Sequence, residues 1–177
     1  RDAEGNPLYD YGSTRPSGAL TGFNSVATLY DDKYGSSADN VSGRTYINIG
    51  DWQSGPLQGL KLALNLAYDY VNTNSFTYYN PYFGNSEAAK GMIEKENGRM
   101  FSYTLNQLLS YDRTFGVHHI DLLGGHEFYK YKYNYLTGNK TGFPFGGLYE
   151  LDAATTIMDA GSYENLYAID SYLFRGN

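Results

Sequence analysis

The sequence predicts an all-β chain, mainly antiparallel hairpins in a meander, with one or two short helices in its loops. Three observations support this: apolar and polar side chains alternate, short and long links alternate, and aromatic residues gather at segment ends. Alternation with a period of two indicates strands, because successive side chains point to opposite faces. Five strand segments are found, whereas a small closed barrel needs about eight. We therefore expect a fragment of a large transmembrane β-barrel.

The composition argues against several classes of protein. Only 18% of residues are charged and the net charge is -6, so nucleic acid is not an expected partner. The chain has no cysteine, which excludes a disulfide framework and a thiolate metal site. No apolar run reaches the roughly 18 residues of a transmembrane helix. Tyrosine is abundant, with 20 copies, which suits strands and wet, amphipathic interfaces.

The N-terminal region is expected to be irregular. Residues 1–40 are predicted to form a loop region, with a short helix near 24–30. The first strand is expected over 41–50, where Thr45, Ile47 and Ile49 share one face.

The second strand, expected over 60–75, has the clearest alternation. In LKLALNLAYDY the odd members are Leu60, Leu62, Leu64, Leu66, Tyr68 and Tyr70, and the even members are Lys61, Ala63, Asn65, Ala67 and Asp69. A tilted membrane strand needs about 9–11 residues, which this segment supplies. A soluble sandwich also alternates, with its apolar face towards a core, so this pattern alone fits both architectures.

Three further strands are predicted over 99–112, 117–133 and 165–177. In the third, Phe101, Tyr103, Leu105 and Leu109 share a face that Gln107 interrupts. The third strand is expected to pair antiparallel with the second and, through the turn at 113–116, with the fourth.

The links and the aromatic residues favour a membrane barrel over a sandwich. Links 51–59 and 113–116 are short, whereas 76–98, with a helical turn or two in SEAAKGMIEKE, and 134–164 are long. This rhythm is typical of up-and-down membrane barrels. Aromatic residues at the two ends of the strands predict girdles at the bilayer interfaces. They are Tyr68, Tyr70, Phe101 and Tyr103 at the long-link ends, and Trp52, Tyr111 and Phe115 at the short-link ends.

Three stretches resemble one protein family. They are FNSVATLYDDKYGSSADNVSGRTYINIGDWQSGPLQGLKLALNLAYDY, YTLNQLLSYDRTFGVHHIDLLGGHEFY and the closing YLFRGN. They look like the barrel region of a SusC/RagA-type TonB-dependent outer-membrane transporter of Bacteroidetes. The resemblance covers most of residues 8–177, and its motifs follow strand position rather than chemistry.

The resemblance implies a piece of a 22-stranded barrel that imports oligosaccharides or peptides across the cell outer membrane. Such a barrel works beneath a SusD-like surface lipoprotein, within the lipid bilayer, and is powered by the TonB complex. The whole chain, 1–177, is then one partial barrel segment, from which the plug domain, the TonB box and most strands are absent. Such a fragment is expected to self-associate.

No residue pattern predicts catalysis or a cofactor. No G-x-S-x-G, P-loop or HExxH motif occurs. His118, His119, Asp121 and His126 suggest a metal site at first sight. In a strand, however, His118 and His119 point to opposite faces, so these residues are expected to line a polar surface. We expect no enzyme activity.

Tyrosine clusters are the candidate binding residues. Their flat rings with a polar tip can stack on sugars or pack against a lid protein. The predicted ligand-binding residues are Tyr78, Tyr79, Tyr82, Tyr129, Tyr131 and Tyr133. The alternative is that these rings only hold the loops together. Two other functions stay open, a soluble carbohydrate-binding β-module and a cell-surface interaction domain.

Overall fold

The computed structural model describes residues 3–5, 25–50 and 52–177 and forms one five-stranded sheet. Helix α1 (Ser25–Asp31) precedes β1 (Lys33–Gly50), β2 (Leu60–Tyr79), β3 (Met92–Phe115), β4 (His118–Thr141) and β5 (Thr156–Gly176). A single 3-10 turn, Leu151–Ala153, precedes β5. The strands are antiparallel and follow the order β1-β2-β3-β4-β5, which confirms the all-β class and both predicted pairings of β3. No helix in the described ranges is long and apolar enough to cross a membrane.

The strand register assigns each side chain to a face. Asp121 and Asn177 exchange both backbone hydrogen bonds, at 3.1 and 2.9 Å. Ser75 of β2 contacts Glu96 of β3 at 2.9 Å. Directly opposed residues of antiparallel strands place their side chains on the same side of the sheet. We call the side that carries Leu60, Leu62, Leu64 and Leu66 the leucine face, and the other side, with Asn65 and Asp69, the polar face.

Each observed strand overlaps a predicted one, but all five extend further. Strand β1 begins at Lys33, so the predicted loop region 1–40 is wrong over 33–40. β2 continues to Tyr79, β3 begins at Met92, β4 continues to Thr141 and β5 begins at Thr156. In these extensions both faces carry polar residues, so the period-two signal disappears while the backbone ladder continues. The short helix expected near 24–30 is α1, and residues 1–2 and 6–24 of the loop region lie outside the described residues.

The helical turns expected in SEAAKGMIEKE are replaced by tight turns and the start of β3. Lys90 and Gly91 have φ angles of 56° and 81°. Two successive left-handed residues reverse the chain and cannot continue an α-helix. The Gly91 amide donates to the carbonyl of Ser86 at 2.8 Å, which closes this turn before Met92.

The alternation of link lengths is retained. The links 80–91 and 142–155 are long, whereas 116–117 between β3 and β4 is a two-residue turn. The aromatic stretch SFTYYNPYF, most of which was expected in the link 76–98, therefore lies partly on β2, which continues to Tyr79.

The chain divides into two compact units, each described by itself. The loop unit contains, among its described residues, 25–38, Thr73–Gly98 and Tyr135–Tyr163. The strand unit contains Asp39–Asn72, Arg99–Asn134 and Glu164–Asn177. All the buried hydrophobic residues found in the described chain belong to the loop unit: Ala27, Tyr78, Phe83, Ile93, Phe143 and Ala154. The described part of the strand unit has no buried apolar side chain.

The strand unit instead exposes an apolar surface on its leucine face. The exposed apolar side chains there are Val41, Ile47, Ile49, Leu66, Tyr68, Phe101, Leu109, Phe115, Ile120, Leu122, Leu166, Tyr172 and Phe174. The same face carries Gln107, His126 and Asp170 by register. His126 and Asp170 are hydrogen-bonded at 2.7 Å, so each gives the other a hydrogen-bond partner on this apolar face.

Candidate functional site

Tyr78 lies at the centre of the hydrophobic core of the loop unit. Tyr78 is 1% exposed, and its ring packs edge-on against those of Phe143 and Tyr149. The ring centroid of Tyr78 lies 5.4 Å from that of Phe143 and 4.8 Å from that of Tyr149. The amide of Gly147 donates to its hydroxyl at 3.2 Å. Burial raises the pKa of Tyr78. The ring is almost fully covered, so in place of the expected ligand contact Tyr78 packs against the link 142–155, although it also lines the cavity beside Tyr82.

Tyr79 points away from this core and contacts Tyr34 of β1. Their ring centroids are 5.9 Å apart at an interplanar angle of 82°. Burial raises the pKa of Tyr34 to about 12, and its hydrogen bond with Tyr79 acts in the same direction. The pair joins β1 to β2 and leaves the ring of Tyr79 partly exposed.

Tyr82 borders an open cavity of the loop unit. Its side chain is 62% exposed, and its hydroxyl accepts a hydrogen bond from the amide of Gly146 at 2.8 Å. The cavity has a volume of about 780 Å³, and its aromatic lining includes Tyr30, Tyr82 and Tyr149. Lys33 and Asp31 add opposite charges to the rim. This cavity offers aromatic faces and polar groups together, the usual content of a ligand site.

A buried hydrogen-bond network fixes the chain beneath Tyr82. The carboxylate of Asp32 accepts from the backbone amide and the side-chain amide of Asn80, both at 2.9 Å. The side-chain oxygen of Asn80 accepts from the amides of Tyr82 and Phe83 at 3.0 and 3.1 Å. Asn80 therefore shapes the link 80–91 and holds it against the residue that precedes β1.

A second group of tyrosines lies on the polar face of the strand unit. The rings of Tyr129 and Tyr131 lie 5.5 and 5.7 Å from that of Tyr167 on β5. Tyr133 follows two residues later on the same face of β4 and is partly exposed. Tyr167 is 51% exposed, so the cluster presents ring faces to solvent.

A carboxylate in the loop unit is held by two hydroxyl groups. Tyr135 and Ser75 donate hydrogen bonds to Glu96, the second at 2.9 Å. The hydrogen bond from Tyr135, and then that from Ser75, lowers the pKa of Glu96, and the same contact raises the pKa of Tyr135. The ring of Tyr135 also lies 5.2 Å from that of Tyr163. Glu96 therefore stays ionised at neutral pH and orients the ring of Tyr135.

His119 and His126 contact different residues and do not share a site. His119 lies 3.2 Å from the hydroxyl of Thr114, whereas His126 contacts Asp170 and stacks on Tyr172. Asp121 forms an ion pair with Arg175 at 3.1 Å. Within the described residues no group of three metal-binding side chains converges.

Several aromatic partners were missed by sequence reasoning. Tyr149 and Tyr30 line the cavity beside Tyr82, and Tyr167 completes the cluster with Tyr129 and Tyr131. Tyr149 and Tyr30 lie outside any alternating segment, so no periodicity marks them. The place of Tyr167 in the cluster depends on the strand register, because β5 pairs with β4 and puts Tyr167 opposite Tyr129 and Tyr131.

Comparison with known proteins identifies the fold. No protein-family model and no curated protein matches the chain. Among solved structures, the RagAB peptide transporter matches with a TM-score of 0.72 and 21% identity over 96% of this chain. The RagAB peptide importer matches in its open-open state (TM-score 0.72, 20% identity, 99% of this chain) and in its closed-closed state (0.73, 21%, 96%).

The matched region is a small part of each relative. This chain covers 18%, 19% and 18% of the three matched chains. At this level of identity the likeness concerns the fold, and it agrees with the five antiparallel strands described above. The chain thus has the fold of a section of the RagAB transporter chains, which confirms structurally the resemblance to the SusC/RagA type.

Proposed function

We propose that this chain is part of the barrel wall of a TonB-dependent nutrient importer in the bacterial outer membrane. The observation that carries the proposal is the uncovered leucine face of the strand unit. Leu66, Phe101 and Leu109 are 41%, 42% and 49% exposed, and the unit's described residues include no buried apolar side chain. A lipid bilayer supplies the apolar surroundings that the chain itself does not, and alternation with aromatic ends fits that setting.

A soluble sandwich is disfavoured by the same observation. In a sandwich, the inner faces of two sheets interdigitate and bury their apolar residues. Here the strands of the described chain form a single sheet, and the apolar residues of the strand unit remain exposed. The carbohydrate-binding module is therefore the weaker alternative.

The polar face is the proposed path of the substrate. Tyr167 is exposed there and Tyr129 and Tyr131 are partly exposed, and aromatic rings bind both peptide side chains and sugar faces. The likeness to the RagAB peptide importer favours a peptide over an oligosaccharide. A SusD-like lipoprotein and the TonB complex are the proposed partners, as for the family that the sequence resembles.

An arginine scan of the leucine face in the full-length protein tests the membrane placement. Arginine replaces in turn Leu60, Leu62, Leu64, Leu66, Tyr68 and Tyr70. A cation on a lipid face costs about 2–4 kcal/mol at mid-bilayer and close to zero at the interfaces. We expect the loss of folding free energy in liposomes to peak at Leu62–Leu66 and to fall towards Leu60 and Tyr70. Asn65→Arg, on the polar face, serves as control and is expected to fold normally.

The result that would overturn the membrane placement is a flat profile along the scan, or efficient folding without lipid. The substrate path has a separate test. Tyr131→Ala should reduce peptide uptake by cells without changing the amount of protein in the outer membrane, whereas Tyr131→Phe, which keeps the ring, should preserve uptake. Peptide uptake by Tyr131→Ala equal to that by Tyr131→Phe would show that the ring of Tyr131 does not contribute to the substrate path.

A further inference from the structure

A basic pocket lies on the leucine face of the strand unit. Its volume is about 280 Å³ and it is lined by Tyr70, Arg99, Phe101, Lys132 and Asn134. By register, all these side chains belong to the same face as Leu60–Leu66, at the end of the strands that carries the longer links. The pocket is thus located where the apolar face ends and its aromatic residues begin.

The charge of this pocket is positive. The carboxylate of Glu164 pairs with the ammonium of Lys132 at 2.7 Å and accepts from the amide of Asn134 at 2.6 Å. Arg99 acts on the same carboxylate through its charge. Lys130 adds another cation two residues before Lys132 on the same face. The two cations that line the pocket, Arg99 and Lys132, against the one carboxylate of Glu164 leave a local excess of one positive charge, although the whole chain carries -6.

The two ends of the leucine face arrange their cations differently. At the short-link end Arg113 lies over the ring of Phe115, 4.9 Å from its centroid. The basic pocket instead combines two cations with aromatic walls, and Arg99 is exposed. Long cationic side chains beside an apolar surface extend their charge to the level of lipid headgroups, while aromatic rings occupy the interface itself.

We propose that this pocket binds the phosphate-bearing headgroup of an anionic lipid in the leaflet on the long-link side. Arg99 and Lys132 supply the cations, Asn134 supplies a neutral donor, and Tyr70 and Phe101 contact the first carbons of the acyl chains. Arginine suits phosphate because its planar group donates paired hydrogen bonds. This inference depends on the proposed membrane function, since only a protein within a bilayer presents this face to lipid.

Lipid binding to the full-length protein in a neutral detergent tests the proposal. Native mass spectrometry would measure the affinity for phosphatidylglycerol and for phosphatidylcholine with identical acyl chains. Each cation near a membrane surface contributes about fivefold to the affinity for anionic lipid. We expect phosphatidylglycerol to bind several-fold more tightly, and Arg99→Gln/Lys132→Gln to abolish this preference. Arg44→Gln/Lys61→Gln, which removes two cations from the polar face, should leave the preference unchanged.

Three outcomes would overturn the proposal. They are equal binding of the two lipids, an undiminished preference in Arg99→Gln/Lys132→Gln, and displacement of the lipid by inorganic phosphate, which would indicate a free-anion site. A protein that inserts normally into liposomes but shows one of these outcomes contradicts only the headgroup site. A protein that does not insert contradicts the proposed membrane function itself.

Discussion

Asn80 shows how one side chain determines the shape of a functional loop. It is 3% exposed and bonds to Asp32 on one side and to two backbone amides on the other. The sequence placed this residue in an aromatic loop stretch, SFTYYNPYF, where attention falls on the rings. The structure shows that the polar residue between them positions Tyr82 at the cavity.

Replacing Asn80 with alanine should loosen the link 80–91. The change removes the acceptor of the amides of Tyr82 and Phe83 and one donor to Asp32. Unpaired buried polar groups cost about 1–3 kcal/mol each, so we expect a local loss of at least about 2 kcal/mol. Amide hydrogen exchange at Tyr82 and Phe83 measures this loss. Asn85→Ala, at an exposed position of the same link, is the control, and equal exchange in both variants would contradict the role of Asn80.

The lowered pKa of Glu96 predicts that the stability of the fold depends on pH in the acid range. Its pKa is lowered below the usual 4.5 by the hydrogen bonds from Tyr135 and Ser75. A carboxylate with a lowered pKa in the folded state stabilises the fold fully above pH 4.5, and this contribution is lost as pH falls through the folded value. We expect Tyr135→Phe to move the titration midpoint of Glu96 upwards in an NMR titration. Tyr131→Phe is the control, and an unmoved midpoint in Tyr135→Phe would exclude the hydrogen bond as the cause.

At the scale of elements, the length of a strand and the extent of its apolar–polar alternation have different physical causes. β3 and β4 run over Met92–Phe115 and His118–Thr141, whereas clear alternation in the sequence covers only part of each. Alternation needs one apolar and one polar environment, while the backbone ladder needs only a neighbouring strand. The sequence therefore predicts the stretch with two different faces, and the tertiary structure determines where pairing stops.

The His126–Asp170 pair is a second element-scale feature, because it joins β4 and β5 on the leucine face. Removing one partner leaves the other unpaired beside apolar residues, which costs more than replacing both. We expect Asp170→Leu and His126→Leu each to destabilise folding in liposomes by about 2 kcal/mol. The double variant should lose clearly less than the sum of the two. Additive losses in this double-mutant cycle would show that the pair is not coupled.

At the scale of the whole chain, the sheet has open edges. The order β1-β2-β3-β4-β5 gives β1 and β5 only one strand neighbour each in the described chain. Unpaired edge strands add further strands or associate, and an exposed apolar face adds to this tendency. Both properties agree with a section of a larger barrel.

The isolated 177-residue chain should consequently associate in buffer and become monomeric only in detergent. Sedimentation velocity with and without detergent measures this. Leu66→Ser/Leu109→Ser, which makes two exposed positions of the leucine face polar, should reduce the association without abolishing it, because the strand edges remain. A monodisperse monomer of the unchanged chain in buffer would contradict the prediction.

The sequence by itself determined the fold class, the order and approximate positions of the strands, and the separation of an apolar from a polar face. It could do so because period-two alternation in LKLALNLAYDY and link length are local properties of the chain. The tertiary structure alone decided which tyrosines are accessible. Tyr78 and Tyr82 stand four residues apart in one aromatic stretch, yet one is 1% and the other 62% exposed. Their difference arises because the distant link 142–155 packs Phe143 and Tyr149 around Tyr78, and no local pattern specifies such a contact.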